Sequence, residues 1–373
     1  MSDEKWFIPN QTDDLISPAL LFYPERILEN IEQMIRIAGG PERLWPHVKT
    51  HKNEEIIRMQ QEAGIEKFKC STLTEADLLG RCGAKEALLA MQPTTAHLKI
   101  FVQLAKTYPK TSFSTLVDNT GTLDHIRELA KSQVTKIRLW MDVNSGMNRT
   151  GIVPGEEAIA LFERLNEEPW LECMGLHVYD GHLRDENLEE RRKSRQKAMG
   201  PVREIQKEIE SRQLKIKSII AGGSPSFTLH AEDRDLCLSP GTTLLWDAGY
   251  GGKFPDLPFK PAAVLFTRVV SRPDKGLVCT DLGHKSVASE MGFPRIKFLN
   301  LDDCEQISQS EEHLVLRCSH DESLQTGKKL FALPIHICPT VAKYEKAHIV
   351  VENELRGTWT ISARDHDIEL IKS

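Results

Sequence analysis

The strongest constraint on the fold is a regular alternation of short apolar runs with amphipathic segments over the first two-thirds of the chain. Eight apolar runs lie at residues 19–23, 44–48, 68–71, 87–91, 112–117, 137–143, 171–178 and 216–221. The segments between them repeat apolar residues at intervals of three and four, which is the period of a helix. Eight strands that alternate with helices predict an α/β fold, a closed (β/α)8 barrel of the TIM type rather than an open sheet.

The pattern changes after Pro240-Gly241-Thr242, where helical periodicity fades. Short β-type runs follow at residues 262–270, 276–280, 314–317, 329–332, 347–351 and 357–361. They predict a mainly β C-terminal domain. We expect the barrel to span residues 15–243 and the β domain to span 244–373, with residues 1–14 packed against the β domain. The charged stretch 184–212 is predicted to be a solvated helix.

Charge and hydropathy argue against several classes of function. The chain carries 48 Lys and Arg against 54 Asp and Glu, a net charge of −6, without a basic block long enough to follow a phosphate backbone. Nucleic acid is therefore not expected as a partner. The N-terminus lacks the features of a signal peptide, and no stretch approaches the roughly 18 apolar residues of a membrane span. We expect a cytoplasmic protein with no membrane partner.

Reactive side chains cluster where the predicted strands end, which is where a barrel of this type carries its chemistry. The candidates are Lys49, Arg149, His177, Tyr179 and the turn Gly222-Gly223-Ser224. A desolvated lysine such as Lys49 can form a Schiff base, and paired glycines let a backbone approach a phosphate closely. Each candidate also has a plainer interpretation, as an exposed cation, a packed core residue or a simple turn.

The eight cysteines include no Cys-x-x-Cys pair, and in a reducing compartment we expect thiols rather than disulfides. His336 and Cys338 stand two apart in a segment predicted to be extended, so their side chains should project to the same side. Both are good ligands for zinc, and two protein ligands would leave open positions for water or a substrate hydroxyl. A buried His and a buried Cys under the sheet remain the alternative.

Together these motifs resemble the pyridoxal-phosphate enzymes of the D-threonine aldolase and D-serine dehydratase family, which have an alanine-racemase-like barrel and β domain. The resemblance covers nearly the whole chain. It is carried by Ser17-Pro18-Ala19-Leu20, Pro46-His47-Val48-Lys49-Thr50-His51-Lys52, Gly146-Met147-Asn148-Arg149-Thr150-Gly151, Pro240-Gly241-Thr242 and His336-Ile337-Cys338-Pro339-Thr340-Val341.

The resemblance implies a role for each candidate. Lys49 matches the lysine that holds pyridoxal 5'-phosphate covalently, which leaves Lys52 as a solvated residue, and Arg149 matches an arginine near the cofactor's phenolic oxygen. His177 and Tyr179 match residues beside the pyridine ring, with Tyr179 as the partner of its nitrogen. The residues that match phosphate ligands are Gly222, Gly223, Ser224, Gly241, Thr242 and Tyr250. His336 and Cys338 match a divalent-metal pair, which would bind zinc, manganese or cobalt.

Two reactions on a small D-3-hydroxy amino acid follow from the resemblance. In an aldolase the bond between the α- and β-carbons breaks, and His182 could act as base for the β-hydroxyl. In a dehydratase Lys49 removes the α-proton and hydroxide leaves, which gives a 2-oxo acid and ammonia; D-serine, D-threonine or 3-hydroxyaspartate would be substrates. The His336 and Cys338 pairing favours dehydration, whereas the loop that carries His182 favours the aldolase.

Less expected are an amino-acid racemase and a non-catalytic pyridoxal-phosphate carrier. A racemase needs no metal, and carriers resemble the barrel alone, so the His336 and Cys338 pair counts against both. Relatives of this architecture pair head to tail and complete each site with the partner's β domain. The resemblance therefore implies a homodimer with its active site at the subunit interface.

Overall fold

The protein was analysed as a computed structural model, which describes residues 5–319 and 322–368. Its strands are β1 (Ala19–Phe22), β2 (Lys67–Cys70), β3 (Glu86–Leu89), β4 (Ser112–Val117), β5 (Ile137–Asp142), β6 (Leu171–Val178), β7 (Ile219–Ala221), β8 (Leu236–Leu238), β9 (Ala263–Asp274), β10 (Leu277–Thr280), β11 (Ile296–Phe298), β12 (Cys304–Gln309), β13 (Leu314–Cys318), β14 (Lys329–Pro334), β15 (Lys346–Val351) and β16 (Glu354–Thr360).

The α-helices are α1 (Pro24–Ala38), α2 (Glu54–Glu62), α3 (Leu73–Arg81), α4 (Thr95–Thr107), α5 (Thr120–Ser132), α6 (Glu156–Glu167), α7 (Leu188–Ser211), α8 (Phe227–Ala231), α9 (Ala248–Lys253) and α10 (Ile337–Val341). No helix in the described part of the chain is long and apolar enough to cross a membrane. The described residues divide into two compact units. The barrel unit takes in 34–49, 57–241 and the residues from 365, and the β unit takes in the residues up to 33, 50–56 and 242–364.

The barrel unit is built on seven parallel strands, β2 to β8, each paired with the next in chain order. The segment 44–47 bridges the two edge strands, because Leu44 pairs with Leu238 of β8 and His47 pairs with Lys69 of β2, both in parallel. Backbone hydrogen bonds from Trp45 to Leu238 and from Lys69 to Pro46 support these bridges. The segment thus takes the eighth position in the ring, and the predicted barrel with a mainly β second domain is confirmed.

Two strand predictions for the barrel were wrong. β1 was predicted as its first strand, but it pairs with β9 and β15 in the sheet of the β unit. All four of its residues are buried, a pattern that fits the centre of any sheet. The predicted eighth run corresponds to β7, and β8 was not predicted.

A layer of large side chains fills the barrel beneath its C-terminal end. It contains Trp45, Leu88, Leu116, Trp140 and Ile220, and the two indole rings meet edge to face at 5.5 Å. Because side chains on one face of a strand recur every two residues, the next position along several of these strands points into the same interior. After Trp45 that position carries His47, which lines the cavity described below, and after Trp140 it carries Asp142.

The β unit contains a nine-stranded sheet in which β1 and β15 are parallel and the other neighbours are antiparallel. All six predicted β runs are strands, whereas β11 and β12 were not predicted. The predicted solvated helix is α7, although its Arg191 side chain is fully buried.

The prediction of free thiols was wrong for two cysteines. Cys304 and Cys318 stand directly opposite each other on β12 and β13, with Cα atoms 4.3 Å apart, and form a disulfide. The other six cysteines, all within the described residues, form no disulfide. Sequence spacing could not show this pairing, because it depends on the register of two strands.

Candidate active site

A cavity of about 370 Å³ lies at the C-terminal end of the barrel strands. Ser71 follows β2, Ala90 and Met91 follow β3, and Tyr179 follows β6. The other lining residues are His47, Lys49, Lys69, Gln92, Arg149, Thr150 and His177. None of the described residues that line the cavity carries a carboxylate. Small-molecule sites in proteins commonly have a volume in this range. Barrels of this type bind their substrates at the C-terminal ends of the strands.

Three cations surround the half-buried Tyr179 ring. The Lys49 and Lys69 amines lie 5.8 Å and 5.3 Å from the ring centroid, and the guanidinium carbon of Arg149 lies 5.1 Å from it. Lys49 lies in a 3-10 turn of residues Val48–Thr50, which follows the segment that closes the ring. The cavity is therefore electropositive around an aromatic side chain, which suits an anionic aromatic ligand.

A chain of buried polar groups lies beside this ring. The Lys69 amine donates to the Ser239 hydroxyl at 2.7 Å and lies 3.4 Å from Nε2 of His177. Nδ1 of His177 lies 2.7 Å from an Asp142 carboxylate oxygen, and Gln92 donates to the other oxygen at 2.6 Å. His177 and Tyr179 both line the cavity, so both side chains face the barrel interior.

Burial governs the protonation of these polar side chains. Burial, together with the nearby Lys49 charge, lowers the pKa of Lys69 to about 7. Burial and the Lys69 charge also lower the pKa of His177. Burial raises the pKa of Asp142, but the hydrogen bonds from His177 and Gln92 outweigh it and hold the pKa below the usual value. Asp142 therefore stays ionised and fixes the proton of a neutral His177 ring on Nδ1.

The predicted phosphate-binding turn, Gly222-Gly223-Ser224, is supported by a second buried carboxylate, that of Asp180. Asp180 accepts from the Ser226 hydroxyl at 2.8 Å and contacts Nε2 of His230 at 2.6 Å. Gly222 has φ +82°, and a Cβ there would come within 2.7 Å of the His230 ring. Only glycine therefore fits this turn without a shift of its neighbours.

The turn also meets the segment that follows β8. The Ser224 hydroxyl accepts a hydrogen bond from the backbone amide of Gly241 at 3.2 Å, which brings these two predicted phosphate ligands together. The other two predicted phosphate ligands lie in the β unit. There Thr242 is buried, and the amide of Tyr250 donates to Asp247, which caps α9.

His182 does not belong to the cavity lining. The residue is exposed, and its Nε2 atom lies 3.2 Å from the position that a Cβ on Gly146 would occupy. Lys52 is half-buried rather than fully solvated, and its amine donates to the carbonyl of Ala363 at 3.3 Å.

The candidate metal pair lies in the β unit. β14 ends at Pro334, His336 caps α10, and Cys338 lies inside that helix, so the predicted extended segment was wrong. The Nδ1 atom of His336 lies 2.5 Å from a Glu290 carboxylate oxygen, and the Cys338 sulfur lies 3.2 Å from the Thr50 hydroxyl. Burial lowers the pKa of His336, but Cys338 and Glu290 outweigh it and raise the pKa to about 9.

The pair fits an open metal site rather than a closed one. No group of three or more metal-binding side chains occurs among the described residues. A metal-binding histidine usually gives its other ring nitrogen to a carboxylate, and Glu290 meets Nδ1 of His336 in this way. The Nε2 atom and the Cys338 sulfur are then the donors, an imidazole and a thiol that suit zinc.

Lys69, Asp142, Asp180, His230 and Glu290 were not among the predicted site residues. The sequence could have indicated Lys69 as a site residue, because it is a charged residue inside a run that was assigned as an apolar strand. Asp142 likewise is a charged residue inside a predicted apolar strand, 137–143. Asp180, His230 and Glu290 gave no comparable signal, because their partners come from distant parts of the chain.

The barrel cavity fits pyridoxal phosphate on chemical grounds. The Lys49 amine can bond an aldehyde, while Lys69 and Arg149 supply positive charge for an anionic ring. The strained Gly222 turn leaves no room for a side chain, and the buried Ser224 hydroxyl lies against it. Such a glycine-rich turn with a hydroxyl suits a phosphate group.

Comparisons with known proteins identify the family and the fold of this chain. Residues 24–248 match the family model "Alanine racemase, N-terminal domain", and residues 262–350 match "Putative serine dehydratase domain". The chain is 24% identical over 363 residues to 3-hydroxy-D-aspartate aldolase of Paracoccus denitrificans (strain Pd 1222), an alignment that covers 94% of this chain and 92% of that one.

Solved structures share the fold over nearly the whole chain. D-threonine aldolase from Filomicrobium marinum superposes with a TM-score of 0.88 at 24% identity, covering 96% of this chain and 97% of that one. A cysteine-to-alanine variant of D-threo-3-hydroxyaspartate dehydratase in the metal-free form gives a TM-score of 0.83 at 19% identity, covering 95% and 99%. Another variant of the same dehydratase replaces a histidine two positions before that cysteine.

Proposed function

The chain belongs to the family of the alanine racemase N-terminal domain, and from that premise we propose that it is a pyridoxal-phosphate- and divalent-metal-dependent lyase acting on D-3-hydroxy amino acids. The reaction we propose is aldolase cleavage to glycine and an aldehyde. The observation that carries the proposal is the cavity in which Lys49, Lys69 and Arg149 surround the Tyr179 ring. The lyase names of the relatives and the alanine-racemase-like fold support it.

Each cavity residue has a defined task in this proposal. Lys49 would hold the cofactor covalently, Arg149 would face its phenolic oxygen, and Tyr179 would face the pyridine nitrogen. Burial and the Lys69 charge keep His177 neutral and Asp142 orients its ring, so it can line the cofactor ring without adding a charge. Pyridoxal phosphate, when bound, supplies a conjugated ring that takes up electrons from a bond broken at the α-carbon.

The metal is assigned to His336 and Cys338. Glu290 orients the His336 ring so that Nε2 is the donor. The metal supplies Lewis acidity toward the β-hydroxyl of the substrate. The cysteine and histidine variants of the related dehydratase, two positions apart and with one in a metal-free form, support this assignment because His336 and Cys338 have the same spacing.

A dehydratase is the second candidate, and two observations favour it. His182, the predicted base for the β-hydroxyl in the aldolase, is exposed and does not line the cavity. Lys49, which would remove the α-proton in a dehydratase, does line it. A product assay separates the two reactions.

The decisive experiment incubates the protein with pyridoxal phosphate, D-threonine and zinc or manganese, with and without a chelator. Glycine and acetaldehyde would establish the aldolase, and 2-oxobutyrate with ammonia would establish the dehydratase. Loss of either activity in the chelator would support the metal assignment. If neither product forms, the racemase and carrier hypotheses gain support, and an assay for conversion of D-threonine to L-allo-threonine, the product of inversion at the α-carbon alone, distinguishes those two.

The homodimer and the cytoplasmic location stay predictions. We propose a head-to-tail dimer because the related architecture completes its active site in this way. Sedimentation of the active protein tests the proposal, and an active species with the mass of one chain would contradict it.

A further inference from the structure

The most unusual charged residue of the barrel unit is Lys69. It lies in the interior of β2, is 2% exposed, and lines the cavity described above. Its strand neighbours Phe68 and Cys70 are fully buried. Lysines are rarely buried unless a partner compensates their charge, so this position calls for a physical reason.

The hydrogen-bond partners of Lys69 do not compensate a full positive charge. Its amine donates to the Ser239 hydroxyl, which itself donates to the carbonyl of Gly222 at 2.8 Å. Its other close contact is Nε2 of His177, the free acceptor of a neutral ring. Within the described residues, no carboxylate forms an ion pair with this amine.

Four charged groups act on Lys69 and oppose one another. Lys49 and Arg149 repel its positive charge, whereas Asp142 and Asp180 attract it. His177 contributes a neutral ring, and burial opposes the charge more strongly than any single neighbour. The amine is therefore held near the balance between its charged and neutral forms, with a pKa of about 7. A negative charge that entered the cavity would tip this balance toward the ammonium form.

We propose that Lys69 is a second cofactor-binding lysine, which binds the anionic pyridine ring system of the cofactor without a covalent bond and takes up one proton when that anion enters. The proposal rests on the proposed function for the identity of the cofactor. In this proposal the two cavity lysines have different roles. Lys49 bonds the aldehyde carbon, and Lys69 supplies the charge.

The sign of the pH dependence follows from this balance. Below about pH 6 the Lys69 amine is already an ammonium in the free protein, so anion binding takes up no proton through it. Above about pH 8 it is mostly neutral in the free protein, and binding of an anion should draw one proton from solvent. Affinity for the anion should accordingly fall as the pH rises through this range.

The test uses pyridoxine 5'-phosphate, in which an alcohol replaces the aldehyde, so that Lys49 cannot form a covalent bond. Calorimetric titration of the cofactor-free protein in two buffers of different ionisation enthalpy gives the affinity and the number of protons taken up. The wild type is compared with Lys69→Met at about pH 6 and about pH 8.5. The difference between the two proteins removes the protons that the ligand itself exchanges.

We expect Lys69→Met to bind at least about tenfold more weakly at the lower pH. At the higher pH, the wild type should take up about one proton more than the variant. Lys67→Met is the matched control. Lys67 is on the same strand, and its amine lies 5.6 Å from the Trp45 ring, but it does not line the cavity. This control should bind as the wild type does.

Equal affinity and equal proton uptake in the wild type and Lys69→Met would overturn the inference. If Lys69→Met does not fold, Lys69→Gln takes its place in the same comparison: proton uptake equal to that of the wild type overturns the inference, and uptake smaller by about one proton at the higher pH supports it. Borohydride reduction with pyridoxal phosphate should label Lys49, and a label on Lys69 would also overturn it. A wild type that binds no pyridoxine 5'-phosphate would instead refute the proposed function.

Discussion

In the barrel unit the Lys69, His177 and Asp142 side chains are all nearly inaccessible to solvent, whereas in the β unit the His336 side chain is 43% exposed. The three buried groups are joined in one chain of contacts that also includes Ser239 and Gln92. His336 and Cys338 have Glu290 and Thr50 beside them, and the described residues supply no third metal donor.

The difference concerns how much of each site the protein prepares before a ligand binds. Buried polar groups must be satisfied by the protein itself, so the cavity geometry is specified in advance. An open metal pair leaves coordination positions for water or substrate, as a catalytic metal requires. Substitutions should therefore affect cofactor binding, folding and metal binding separately.

The largest expected effect is that of Lys49→Ala. This variant should lose the visible absorbance of covalently bound cofactor and all measurable turnover, because no other amine is assigned to the aldehyde. Absorption spectra after addition of pyridoxal phosphate measure the effect, and circular dichroism should show an intact fold. Lys52→Ala is the control and should retain the absorbance. Loss in Lys52→Ala with retention in Lys49→Ala would mean that the covalent lysine is Lys52.

The next largest effects are expected for His336→Ala and Cys338→Ala. Each should keep the cofactor absorbance but lose metal-dependent turnover by about 100-fold or more, because one of only two protein donors is gone. Product formation at several metal concentrations, together with spectra, measures both effects. Turnover that persists in these variants and in the presence of a chelator would contradict the metal assignment.

Asp180→Ala tests the buried support of the glycine turn. Removal of this carboxylate leaves Ser226 and His230 buried without their acceptor, and the free energy of unfolding should fall by about 3 kcal/mol. Urea denaturation measures it. Asp185→Ala is the control. It removes a half-buried aspartate of the following loop and should lower the free energy of unfolding only slightly.

The same carboxylate predicts a pH dependence of stability. Burial raises the pKa of Asp180, but the charge and hydrogen bond of His230 outweigh it and hold the pKa below its usual value. The stabilisation is therefore complete above the unfolded-state pKa of about 4 and is lost as the pH falls through the folded-state value. Denaturation of the wild type at several acidic pH values should show this loss. In Asp180→Ala the loss should be smaller, and an identical acid dependence would contradict the argument.

The smallest effect is expected for Glu290→Gln. The amide keeps the shape of the side chain but is a weaker acceptor for Nδ1 of His336, so metal affinity should fall by about tenfold. Competition with a chelator measures this affinity. Glu305→Gln is the control, because Glu305 makes an exposed ion pair with Arg317 in the same unit and should leave affinity unchanged. Unchanged affinity in Glu290→Gln would show that the His336 ring needs no such support.

Local sequence patterns were sufficient to predict much of the fold. Alternating apolar and amphipathic segments predicted a barrel, and the ends of its strands predicted Lys49, His177 and Tyr179, which line one cavity. β1 was assigned to the wrong sheet, because a short buried strand has the same pattern in any sheet. The extended segment around Cys338 was wrong because a five-residue helix is too short to show a period.

Residue types and their periodicity determined which side chains could carry chemistry, because strand alternation and the position of strand ends are local properties. Tertiary structure decided the partners of those side chains. Lys69 meets Ser239, Asp180 meets His230, and His336 meets Glu290 across 46 to 170 positions of sequence. Burial and the position of neighbouring charges set the protonation of these groups, and both arise only when distant strands and loops come together.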